Sequence, residues 1–177
     1  VLLLDSYDIR SITFGSETGV TATLDGDIVE IVTGGRIVSS AADTGQGGTV
    51  NINARQLFVQ GVESGEPGEE AFITGIGTDT FQGSDGSGGD QNLTVTDVIV
   101  VVGTRPGVFT PDPANPLSVL EAGLLRTGFT ASSLGSGPAG NIRIATDRLV
   151  LQNGVGIASA ALGTDTAAGA GGDFDVT

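Results

Sequence analysis

Carboxylates are the only side chains in this sequence that could serve in number as acids, bases or metal ligands. There are 21 of them against seven arginines, with no lysine, histidine or cysteine. The commonest general base and metal ligand is therefore missing, and thiol and disulfide chemistry are excluded. Glycoside cleavage needs two carboxylates roughly 5–9.5 Å apart, one of them protonated. Asp25 with Asp27 and Asp173 with Asp175 are the pairs that could be asked to do it. No lysine is available as a base for a lyase. Glu63, Glu66, Glu69, Glu70, Asp79, Asp85 and Asp90 lie in a stretch without one basic residue. Oxygen-rich loops of that kind suit calcium. Gly-Gly-Asp stands at 88–90 and again at 171–173, but without the tandem nonapeptides of a calcium β-roll. We assign no catalytic and no cofactor-binding residue. The metal question stays open, with Ca²⁺ as the cofactor considered.

Other small motifs are weaker. Gly86-Ser87-Gly88-Gly89 has the glycines of a phosphate loop but lacks the lysine and the following helix. Asn92-Leu93-Thr94 is a glycosylation sequon, although a corner role for Asn92 explains it better. The formal net charge of −14 repels a phosphate backbone, so no nucleic-acid partner is expected. No run approaches the ~20 apolar residues of a membrane-spanning helix, so no membrane insertion is expected. The chain opens on Val1 inside an apolar run, which reads as one continuous unit, 1–177, of a longer protein.

The elements that must position these residues are legible as a repeat. Thr49-Val50-Asn51-Ile52 returns as Asn92-Leu93-Thr94-Val95, Asn141-Ile142-Arg143-Ile144 and Asp173-Phe174-Asp175-Val176, with a weaker copy at Thr21-Ala22-Thr23-Leu24. Two apolar residues flank an outward polar one in each, the alternation of a half-buried strand. Five and seven residues after Leu24, Ile52, Val95 and Ile144 stand Val29 and Ile31, Leu57 and Val59, Val100 and Val102, Leu149 and Leu151. Glycine closes this second strand at Gly34, Gly61, Gly103 and Gly154. A third strand follows at Ile37-Val38-Ser39, Phe72-Ile73-Thr74, Phe129-Thr130-Ala131 and Ile157-Ala158-Ser159. Successive copies are 28, 43, 49 and 32 residues apart. A solenoid tolerates that spread, because only its strands must superimpose. Insertions are expected at 62–71, 79–91 and 104–124, the last with a short helix capped by Asn115 and Pro116 and stopped by Gly123.

The fold class expected is all-β: a single-stranded parallel β-helix of about five coils, each of three short strands, with surface loop insertions. Its inward columns would be Ala22, Val50, Leu93, Ile142, Phe174 and Leu24, Ile52, Val95, Ile144, Val176. Thr49, Asn92, Asn141 and Asp173 would share a corner, and Arg143 would sit beside Asp175. Phe58, Val101 and Val150 would form an outward apolar stripe, covered by Val108, Phe109, Leu117 and Leu120 of the long insertion.

The stretches GQGGTVNINARQLFVQG and GSGPAGNIRIATDRLVLQNGVGIASAALG resemble the filamentous-haemagglutinin-like exoproteins of bacterial two-partner secretion, with Gly140 to Ser159 following the cyanobacterial form of the repeat. The resemblance covers about two thirds of the chain. It implies a right-handed β-helix passenger, secreted and displayed at the cell surface as a stalk, filament or adhesin. The NPNG-type motif of that family's secretion domain is absent. An enzyme is not expected; the competing class is a carbohydrate-active β-helix, a polysaccharide lyase or glycoside hydrolase. The apolar first and last strands suggest continuation into further coils of the same chain or another copy of it, end to end or laterally. A cell-surface or carbohydrate receptor is the other partner considered.

Overall fold

The computed structural model describes residues 1–5, 7–61, 74–81, 84–103, 127–161 and 169–177, and among these every regular element is a β-strand. The strands β1 (Leu2–Asp5), β3 (Ala22–Val32), β5 (Val50–Gln60), β7 (Gln91–Val102), β9 (Ile142–Gln152) and β11 (Phe174–Val176) lie side by side in that order as sheet A. Between them in the chain, β2 (Asp8–Thr13), β4 (Arg36–Ala41), β6 (Thr74–Gly77), β8 (Thr127–Thr130) and β10 (Gly156–Ala158) make sheet B. All pairings are parallel. The chain thus shuttles between two sheets, and each pass adds one strand to each.

What the repeat offered as two strands is one long strand of sheet A. In β5, Val50, Ile52 and Ala54 are buried, and then Leu57 and Val59. The alternation resets by one residue at Arg55–Gln56, so the strand turns a new face inward without leaving the sheet. Ile37, Ile76 and Phe129 come into register across sheet B and complete the core. Each such aliphatic side chain contributes roughly 1.5–3 kcal/mol on burial.

The expected register holds for Leu24, Ile52, Ile144 and Val176 but slips in β7. Leu93, not Val95, stands between Ile52 and Ile144, and Val95 pairs with Ala54 and Thr146. Gln91 consequently takes the position beside Val50 and Ile142 that had been given to Leu93. Farther on, Ile99 and Val101 point inward, while Val100 joins Phe58 and Val150 on the outside in place of Val101. The cause is an extra residue in β7 near Asp97, where the ladder breaks register on both sides. Because VIVVV is apolar in either parity, the composition of this strand could not reveal the slip. Val176 is 44% exposed, since β11 has a neighbour on one side only.

The third-strand copy expected at Phe72-Ile73-Thr74 lies farther on, as Thr74–Gly77 with Ile76 inward; Phe72 and Ile73 fall outside the described residues. The apolar first strand stands as β1, and one strand that was not expected, β2, follows it before the first copy. The described part of 79–91 is no insertion either. Thr80 bridges to Ala41, Gly86 N donates to Asp43 O, and Gly88 N donates to Pro138 O, so this segment runs in step with the passes on either side. The insertions 62–71 and 104–124, with the capped helix and the apolar cover, lie outside the described residues.

Glycine makes the return turn stackable. A Cβ on Gly89 would stand 2.0 Å from Gly48 O, on Gly140 2.0 Å from Gly89 O, and on Gly172 1.9 Å from Gly140 O. No side chain fits between backbones at that spacing. Aligned on these glycines, Thr49, Asp90, Asn141 and Asp173 share the corner, and Asn92 instead lies next to Asn51.

Candidate functional site

Two outer faces present chemistry. On sheet B, the outward positions of neighbouring strands form columns: Arg36 beside Gly75 and Gly128, and Val38 beside Arg10, Gly77 and, through Gly77, Thr130. Where glycine stands, the sheet has no side chain to raise its surface. The result is a groove of about 280 Å³ floored by Gly75 and Gly77 and walled by Arg10, Arg36, Asp79, Phe81 and Leu134. Gly75 and Gly128 are held at φ +139° and +142°, where L side chains are strained. Gly77 has no such constraint, and a Cβ there would meet only Asp79 Oδ2 at 3.2 Å and Thr130 Oγ1 at 3.5 Å.

Asp79 is fixed from the next strand. Its carboxylate accepts hydrogen bonds from Thr130 Oγ1 at 2.7 Å and from Ser132 N at 2.7 Å. The residue is half-buried in the groove wall, where the surrounding protein displaces part of the water from its carboxylate. That loss of water raises its pKa above the usual carboxylate value, against the lowering effect of the two hydrogen bonds. Ser132, adjoining it, is buried and its hydroxyl has no hydrogen-bond partner. Both arginines also have contacts within the protein.

Sheet A carries a polar ladder outside. Asn53 Nδ2 donates to Asp25 at 2.7 Å, Asn92 Nδ2 to Asn51 Oδ1 at 2.9 Å, and Arg55 Nε to Asp27 at 2.8 Å. Arg55 also lies 3.5 Å from Asp97, which accepts a 2.6 Å bond from Gln56 and so braces the extra residue of β7. The Arg55 hydrogen bond holds the Asp27 carboxyl below its usual range. Asp25 and Asp27, weighed as a catalytic pair, are thus each engaged by a different side chain of β5.

The other acids singled out are dispersed. Asp79 lies on sheet B, Asp85 accepts from the Ser136 hydroxyl, and Asp90 accepts from Asn141 N and Nδ2, both at 2.9 Å. Glu63, Glu66, Glu69 and Glu70 fall outside the described residues, and among the described residues no three acids gather as a metal site. Asp175 stands opposite Arg143 as expected, while the guanidinium of Arg143 lies 3.6 Å from Asp90 on its other side. Asp173 donates its backbone N–H to Asn141 Oδ1.

Sequence reasoning missed the groove and the buried Gln91, whose Nε2 donates to Thr130 O at 2.6 Å. Gln91 could have been found by aligning the glycines of GQGGT, GSGGD and GPAGN. For the groove the only available signal was three glycines where strands usually carry side chains. A scan against protein-family models matches none, and searches of curated proteins and of solved structures return no similar protein.

Proposed function

We propose that the chain is a length of right-handed parallel β-helix, serving as the shaft of a secreted, surface-displayed adhesive protein of the filamentous-haemagglutinin-like kind. One observation carries the reading: every pass lays strands on the same two sheets, with like residues stacked in columns and glycine stacked on glycine. In this reading the reset at Arg55–Gln56 is a corner between two faces, sheet B is the third, the glycine turns return the chain to the first, and about five coils of three short strands result. A stack of this kind advances ~4.8 Å per coil and stays narrow, which suits a spacer better than a compact catalyst. The excess of acid keeps such a surface in solution.

Its partners are further coils of the same polypeptide or a second copy, added at edge strands where Phe174 is 51% and Leu3 53% exposed. Sedimentation velocity and electron microscopy of the chain over a range of concentrations test this. End-to-end association into filaments of uniform width is the expected result. A particle that stays strictly monomeric at every concentration would overturn the shaft reading.

A further inference from the structure

The groove on sheet B has walls unlike the rest of the surface. Two of the seven arginines of a strongly acidic chain border it, and it also holds a half-buried carboxylate, hydroxyls and exposed aromatic surface. We propose that this groove binds a carboxylate-bearing sugar, a uronic-acid unit free or within an acidic glycan.

Arg10 and Arg36 supply the charge complement. A guanidinium has five N–H donors in a planar fork, so each can serve a ligand carboxylate besides its own protein contact. Asp79, oriented by Thr130 and Ser132, accepts from sugar hydroxyls, and Ser40 can donate or accept beside it. Phe81 is 45% exposed and gives an apolar surface for the C–H face of a ring. The floor of Gly75 and Gly77 lets that ring lie against the backbone. A simple inorganic anion would use the arginines and leave Phe81, Leu134 and Asp79 without a role. An aliphatic chain would cover the polar wall groups with carbon and use none of their donors or acceptors. Two guanidinia, a carboxylate with hydroxyl neighbours and exposed aromatic surface gathered in one groove match a sugar acid.

This inference does not depend on the shaft reading, since a monomer would carry the same groove. Isothermal titration calorimetry of the whole chain tests it with an oligogalacturonate, a neutral galactose oligomer and acetate as probes. The oligogalacturonate should bind at one site, with the neutral oligomer and acetate each at least about tenfold weaker, as expected for loss of a charge-assisted bond or of the ring contacts. Arg36→Gln should weaken binding by about tenfold on the same ground. Gly77→Val should abolish binding with an unchanged circular dichroism spectrum, because it fills the floor. Should that variant misfold, Phe81→Ala carries the test, and several-fold weaker binding is expected. Equal affinity for acidic and neutral oligomers, acetate binding as well as the oligomer, no heat at millimolar oligogalacturonate, or unchanged binding by Arg36→Gln and Phe81→Ala would each overturn the proposal.

Discussion

Sheets A and B are built by the same passes of the chain, yet their outer faces are opposites. Sheet A is clothed: Asp25, Asn53, Asp27, Arg55, Asp97, Asn51 and Asn92 grip one another from strand to strand. Sheet B is bare at its centre, where Gly75, Gly77 and Gly128 replace side chains, and its charged groups stand at the margins. A surface whose polar groups are paired among themselves has little to offer a ligand. One stripped to its backbone, with charge and apolar area at the rim, has much more. The same repeat can therefore hold itself together on one side and leave a recess on the other.

The contrast is most easily broken at glycine. Gly128→Ala should cost about 3 kcal/mol or more and in practice prevent folding, because the Cβ would stand 1.8 Å from Gly156 O at a strained φ. Gly77→Ala, on the same face without either constraint, should fold with nearly unchanged urea stability. Equal behaviour of the two would show that the bare face of sheet B is not set by backbone contact.

The inner side of sheet A supplies the next largest effect. Ile99→Ala should cost about 2–5 kcal/mol in a denaturant melt, and Val100→Ala less than about 1 kcal/mol, since Ile99 is buried and Val100 faces outward. The reverse order would restore the register that the sequence offsets favour.

Asp79 probes the rim of sheet B through pH. Its folded-state pKa lies above the unfolded value, so the folded chain holds the proton more tightly. That contribution is fully present below the unfolded pKa and is lost as pH rises through the folded pKa. Asp79→Asn should therefore be more stable than the parent chain at neutral pH in urea melts, with the gap closing on acidification. A gap that widens toward low pH would contradict the burial of this carboxylate.

The smallest effect belongs to the exposed ladder of sheet A. Asp27 titrates below its usual range because of Arg55, so this pair adds stability above the unfolded pKa of Asp27 and loses it as pH falls through the depressed one. Water screens so exposed a pair, and melts should barely register Arg55→Gln. Carboxyl chemical shifts should instead show Asp27 returning toward its ordinary pKa, while Asp79 stays unmoved.

Much of this architecture is written locally. Apolar alternation around Ile52 and Ile144, the offsets to Leu57 and Leu149, and the glycines that close each turn are properties of short stretches, and they specify parallel stacking because no single pass can bury its own apolar face. The acids and their number are equally plain. Which acid meets which partner is another matter, because neighbours in a parallel sheet come from passes 27 or more residues apart. In β7 an apolar run satisfies both parities, so the position of the extra residue, and with it the burial of Gln91, is decided by the strands on either side. The groove goes further still: Arg10, Arg36 and the short segment from Asp79 to Phe81 come from three separate passes, and nothing near any one of them in the chain signals the others. Local pattern settles which residues form strands; cross-strand register settles which of them face inward where the pattern has two parities, as in β7, and what stands together on the outside.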